Sequence, residues 1–227
     1  MLRAMPPHAP DTIEVEPRSP ATRSVIWLHG LGADGHDFEP IVPMFGLEPD
    51  LAVRFVFPNA PVRAVTINGG MRMRAWYDIR GMDFDRREDE AGILDSSRLV
   101  AELVARENER GIATARIVLA GFSQGGAIAL HAGLRHGEAL AGIVALSTYL
   151  VRARELEAER APANLATPIF QAHGSHDPMV TPERGSTARA ELKRLGHPLE
   201  FHSYPMAHQV CPQEIDDIGA FLRRVLA

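Results

Sequence analysis

The chain has 227 residues, 45% apolar and 23% charged, proportions that suit a soluble globular protein of one domain with a sizeable core. A formal net charge of −5 gives no electrostatic footing for nucleic acid or an anionic membrane surface, so neither is expected as a partner. The single cysteine, Cys211, excludes an internal disulfide and a multi-cysteine zinc site and agrees with a reducing, cytoplasmic setting.

The first twenty residues carry Pro6, Pro7, Pro10, Pro17 and Pro20, which deny them a helix. No apolar stretch there resembles a signal peptide, and no run in the chain approaches the roughly 18 residues of a membrane span. Residues 1–12 are expected as a loose arm and residues 13–227 as one domain, with the alternating segment 12–16 as an edge strand. Residues 24–28 read as a buried strand, followed at once by His29-Gly30-Leu31-Gly32-Ala33-Asp34-Gly35, a tight loop rich in free backbone N–H groups. A third strand over 53–57 stops at Pro58. The irregular excursion from 59 to 87 contains a hairpin, with strands near 64–67 and 71–75 flanking Asn68-Gly69-Gly70. Its Met71, Met73, Trp76 and Tyr77 are expected to wall an apolar groove. Residues 88–110 predict a long amphipathic helix with two adjoining stripes, one through Leu94, Ser97, Ala101 and Val104 and one through Ile93, Val100 and Glu107. Gly111 ends it.

Beyond it, strands are predicted over 115–119, 141–146, 168–172 and 199–204. Helices are predicted after the first of these, over 182–195 and over 212–226, with a short charged one at 152–160. Strand and helix alternate throughout, so the fold class is α/β, with a mainly parallel sheet and helices on both faces. Only 147–167 separates the strand at 141–146 from the next one, too little for a large cap domain.

The stretch on which the chain turns is Gly121-Phe122-Ser123-Gln124-Gly125-Gly126. A buried strand meeting a helix over G-x-S-x-G is a nucleophile elbow, in which the glycines allow strand and helix to cross closely and the serine is held strained and exposed. A serine hydroxyl needs a base to take its proton and an acid to orient that base. In a parallel sheet such groups gather beyond the carboxyl ends of strands. Asp177, in His173-Gly174-Ser175-His176-Asp177, is the only aspartate between Ser123 and the end of the last strand. His208 lies beyond that strand, whereas His197 precedes it and His202 sits inside it. The order Ser, Asp, His is the one expected of this fold. An acyl-transfer oxyanion needs preset donors: the Gln124 N–H follows the nucleophile, and Leu31 in the Gly-rich loop is the best-placed second. His29 is expected to support that loop. A metal reading through His173, His176, Asp177 and His208 has the right donor types, but it leaves the elbow serine without a role and has no H-E-x-x-H partner. Cys211 reads as a small buried filler.

These residues resemble the carboxylesterase and acyl-protein thioesterase family of α/β-hydrolases, and within it the small bacterial carboxylesterases. The matching stretches are the 25–35 loop region, Arg74-Ala75-Trp76-Tyr77-Asp78, the elbow, His173-Gly174-Ser175-His176-Asp177-Pro178-Met179-Val180, and Met206-Ala207-His208-Gln209-Val210-Cys211. Together they run from about residue 13 to the C-terminus. The resemblance implies an α/β-hydrolase fold without a large cap, Ser123, Asp177 and His208 as the triad, and Leu31 and Gln124 as oxyanion donors. It also implies that no cofactor or metal is needed and that Trp76 and Leu150 border an acyl pocket. Ala207 stands where the family commonly has glycine, so a left-handed backbone there would be strained. The activity expected is that of a serine carboxylesterase on short-to-medium-chain esters. An acyl-protein thioesterase or lysophospholipase with the same triad is the alternative, and a catalytically silent ligand-binding fold the remote one. The expected partner is a small ester substrate, and a homodimer is left open.

Overall fold

Along the second strand Val25 and Trp27 point to one side, and Ile26 and Leu28 to the other, and all four are buried. That period-two burial on both faces is what a central strand of a covered parallel sheet requires. The computed structural model describes residues 11–81 and 88–227. Its main sheet contains seven strands: β1 (Thr12–Val15), β2 (Arg23–Leu28), β3 (Val53–Pro58), β6 (Ile117–Phe122), β7 (Gly142–Leu146), β8 (Ile169–Gly174) and β9 (Leu199–Tyr204). Their spatial order is β1-β3-β2-β6-β7-β8-β9. Every pairing is parallel except β1 with β3, which is antiparallel at the edge. The excursion forms a separate two-stranded hairpin, β4 (Val62–Val65) and β5 (Met71–Arg74).

Helices α1 (Glu90–Glu109), α2 (Gln124–Arg135) and α4 (Pro182–Arg194) cover one face, and α5 (Pro212–Leu226) the other. On the α5 face Trp27 packs against Phe38 and Phe45, and Phe170 against Phe221. On the other, Ile26, Leu28 and Leu119 meet Ile93, Val100 and Val104 of α1 and Ile128 of α2. Between β7 and β8 the chain holds only α3 (Leu156–Glu159) and a short 3-10 turn (Pro162–Asn164), so the expectation of no large cap is met.

Several expectations need adjusting. The loose arm expected over 1–12 lies mainly outside the described residues; within them, Asp11 already accepts the Asn59 N–H at 2.8 Å and β1 begins at Thr12. The end of the excursion, 82–87, also lies outside them. In α1 the stripe of Ile93, Val100 and Glu107 is buried, but Leu94 is 37% exposed and Ala101 is exposed. The inward face instead adds Ser96 and Leu103, three and four positions along from its neighbours, as helical geometry demands. A 3-10 helix over Glu39–Phe45, unforeseen because Pro40 and Pro43 interrupt its pattern, seats Phe45 in the core.

Candidate active site

The elbow shows why its glycines are there. A Cβ on Gly121 would lie 2.4 Å from the Gly125 carbonyl carbon, and one on Gly125 would lie 2.2 Å from the Leu28 carbonyl oxygen. Between them Ser123 sits at φ 53°, ψ −119°, a backbone setting that costs a non-glycine residue on the order of 1–3 kcal/mol. Its surroundings hold it there. The Ser123 N–H donates to Leu146 O at 2.8 Å, and the Thr148 hydroxyl donates to Ser123 O at 2.6 Å.

Three strand ends then bring the polar chain together. The Ser123 Oγ lies 2.9 Å from His208 Nε2, and His208 Nδ1 lies 2.7 Å from Asp177 Oδ2. A carboxylate can only accept, so Nδ1 carries the proton and Nε2 is left to accept from the serine hydroxyl. The other oxygen, Asp177 Oδ1, accepts the N–H groups of Met179 and Val180, each at 2.9 Å. His173 closes the same loop from beneath, its Nε2–H donating to Val180 O at 2.8 Å. Phe122 packs on the His208 ring with centroids 4.7 Å apart. Ala207 is not among the residues with positive φ, so the strain expected of an alanine there does not arise.

Leu31 and Gln124 flank the serine. Among the described residues neither N–H has a hydrogen-bond acceptor, which leaves both available to a substrate oxygen. The loop before Leu31 is held by His29: its Nε2 accepts the Ala60 N–H at 3.0 Å, and its Nδ1–H donates to Gly30 O at 2.7 Å. Burial holds His29 below the ordinary histidine range, so it is neutral, as this bonding requires.

A groove of about 410 Å³ opens at Ser123, with Leu31, Ile67, Met73, Ile79, Phe122 and Met179 among its apolar walls. The expectation for its walls holds only in part. Met73 lines it, but Met71 is 64% exposed. Trp76 is fully buried behind the groove, its indole N–H donating to His29 O at 2.8 Å, so it is not a wall residue. Tyr77 is also buried, bonded hydroxyl to hydroxyl with Tyr149 at 2.7 Å, and it is Tyr149 that reaches the groove. Leu150 lines instead a neighbouring cleft of about 510 Å³, which Tyr149 also borders together with Arg152, Arg154 and Glu155. Among the described residues no group of three or more His, Cys, Asp or Glu stands close enough to hold a metal ion. His173 is buried on Val180 O and His176 is exposed. Cys211 is half-buried against the α5-face core.

Sequence reading missed Thr148, the Gln124 side chain and Ser96, whose hydroxyl donates to Trp76 O. Only a polar residue in an apolar setting hinted at them, and their partners lie between 20 and 48 positions away.

A serine on a strand-to-helix elbow, an acid after β8 and a histidine after β9 in one parallel sheet define the α/β-hydrolase class. The model of the phospholipase/carboxylesterase family matches residues 11–226, and the chain belongs to that family. It is thus a hydrolase acting on carboxylic esters. It is 40% identical to acyl-protein thioesterase 1 of Mycosarcoma maydis over 95% of this chain and 97% of that one. It is 43% identical to acyl-protein thioesterase 1 of Neurospora crassa over 88% and 86%. Among solved structures, acyl-protein thioesterase 2 of Zea mays superposes with a TM-score of 0.85 at 28% identity, covering 96% of this chain and all of that one. The Bacillus cereus carboxylesterase, at 18% identity and a TM-score of 0.76 over 96% and 95%, shares the fold.

Proposed function

We propose that the protein hydrolyses acyl thioesters carried on proteins, together with simple acyl esters, through an acyl-enzyme on Ser123. The observation that carries this is the unbroken hydrogen-bonded chain Ser123–His208–Asp177 at the mouth of an apolar groove. Ordering the substrates with esters first and protein thioesters second, as the motifs alone suggest, is reversed here: relatives about 40% identical over nearly the whole chain are acyl-protein thioesterases. The fold supports the reversal. With only α3 and a turn between β7 and β8, the described residues place no cap over the groove, so an acyl chain attached to a large body can enter.

His208 Nε2 takes the serine proton as Oγ attacks the acyl carbon, and Asp177 stabilises the resulting imidazolium. The oxyanion forms between the Leu31 and Gln124 N–H groups. The imidazolium returns its proton to the departing thiolate or alkoxide, and water, deprotonated by His208, then releases the acid. The apolar part of the walls, with Ile67, Met73, Ile79 and Met179, takes the acyl chain. The lone Cys211 fits a cytoplasmic setting, where acylated proteins are met.

The test is a panel of S-acylated peptides and matched oxoesters of graded chain length, read as kcat/KM. Thioesters of peptides should be turned over at least as well as the corresponding oxoesters. Turnover of oxoesters with no measurable peptide thioester hydrolysis would return the protein to a plain carboxylesterase.

A further inference from the structure

Trp76 sits between the two proposed oxyanion donors without touching the groove. Its backbone is gripped by the side chain of Gln124, the residue after the nucleophile: the Trp76 N–H donates to Gln124 Oε1, and Gln124 Nε2–H donates to Tyr77 O, both at 2.8 Å. Since an N–H can only donate and a carbonyl only accept, these partners also fix which end of the amide is which. On its other side the Trp76 indole N–H donates to His29 O at 2.8 Å, and the His29 and Trp76 rings pack with centroids 5.3 Å apart. His29 in turn donates from Nδ1 to Gly30 O. That carbonyl belongs to the same trans peptide unit as the Leu31 N–H, so holding the oxygen on one side aims the N–H to the other.

A continuous circuit therefore runs from the Gln124 side chain through the Trp76 backbone and indole to His29, Gly30 and the Leu31 N–H. All its side-chain members are buried: Gln124 is 1% exposed, Trp76 0% and His29 2%. The β2–β6 pairing, with Leu28 opposite Gly121, already sets the coarse spacing of the two donors. It does not set the tilt of the Gly30–Leu31 peptide, which lies beyond the end of β2. We propose that Trp76 is a positioning residue that aligns the Leu31 and Gln124 N–H groups on one oxyanion. This rests on the reading of Ser123 as the nucleophile.

The chemistry makes the demand plain. Donors preset where charge develops account for a large share of acyl-transfer catalysis, and deleting one costs on the order of 10²–10³ in kcat. A misaimed donor forfeits part of that factor while substrate binding in the apolar groove is untouched.

The experiment uses Trp76→Phe, which keeps a ring in the core but removes the indole N–H, and Gln124→Met, which keeps the oxyanion N–H but removes both side-chain bonds. Each preparation is titrated with a fluorophosphonate, and kcat is expressed per reactive serine, which removes any loss due to misfolding. Each is also measured for KM and for inhibition by an alkylboronic acid, whose tetrahedral adduct places an oxygen between the two donors. We expect kcat per site to fall about tenfold or more, KM to stay within about threefold, and boronate affinity to fall by a factor similar to that in kcat/KM. The pH profile should keep its shape, because His208 is not altered. Per-site kcat within twofold of the parent in both variants, or a loss of kcat with boronate affinity unchanged, overturns the proposal alone. A parent protein whose Ser123 is not labelled overturns it together with the nucleophile reading.

Discussion

At Asp177 the two carboxylate oxygens divide their tasks. Oδ1 is tied to the backbone of its own loop, and Oδ2 faces His208 Nδ1. Removing the charge while keeping the shape should leave the loop in place and remove control of the imidazole proton. Asp177→Asn is thus expected to lower kcat on the order of 10⁴-fold with little change in melting temperature. Steady-state kinetics and a thermal melt on the same sample check it, and a loss under about tenfold would mean that another carboxylate orients His208. Among the proposed site residues, Ser123, Asp177, His208, Leu31 and Gln124 were nominated from the sequence, since each lies one to four positions past a strand end. The Trp76 position was not. Nothing local distinguishes a tryptophan that walls a groove from one buried behind it, because that depends on Gln124 and His29, 48 and 47 positions away.

The elements carry two further expectations. Where β6 turns into α2, a methyl group on Gly125 would meet the Leu28 carbonyl oxygen at 2.2 Å, a backbone atom that cannot swing aside. Overpacking of this kind costs about 1–3 kcal/mol or more. Gly125→Ala should lower the urea midpoint and reduce activity, since it pushes the elbow from the oxyanion loop. A midpoint equal to the parent's would show that strand and helix are less tightly crossed than described. In the first turn of α5, Glu214 is wholly buried, and burial pushes its carboxyl up to about 8, with the Cys211 amide opposing the shift and Asp217 adding to it. The ordinary carboxyl value is 4.5. The folded state therefore keeps a proton that the unfolded chain has lost, so stability falls as pH rises from about 4.5 to about 8 and then levels off. Glu214→Gln should flatten that decline, measured as Tm between about pH 5 and pH 9. A decline unchanged by the substitution would assign it to other groups. The central strands were read from runs of β-branched residues buried on both faces. The outer stripe of α1 was misread because a leucine at helical spacing is apolar whether or not another element covers it, and among the described residues Leu94 is left 37% exposed.

The whole molecule presents its site at the carboxyl end of the sheet, bordered by the hairpin and by the 177–180 loop. Among the described residues no helix is long and apolar enough to cross a membrane. A groove bordered in this way, with no cap over it among the described residues, needs no lipid surface to open it. The account predicts hyperbolic kinetics on soluble esters, no jump in rate when the substrate passes its solubility limit, and falling rates on long-chain triglycerides. A sharp rise in rate on emulsified substrate would show that a mobile element closes the groove in solution. The absence of a cap was readable from the 147–167 interval, because length alone bounds what it can hold. The shape of the groove was not readable, since it arises where the hairpin, the oxyanion loop and the 177–180 loop meet.

The central claim is that the acyl group passes through Ser123, and the direct measurement is rapid-quench mass spectrometry with a p-nitrophenyl acyl ester. The account predicts a burst of p-nitrophenol close to one per chain, a mass gain equal to the acyl group, and its location on the peptide containing Ser123. Both should vanish in Ser123→Ala while the melting curve stays that of the parent. Steady turnover in Ser123→Ala, or an acyl group found on Cys211 in place of Ser123, would contradict it.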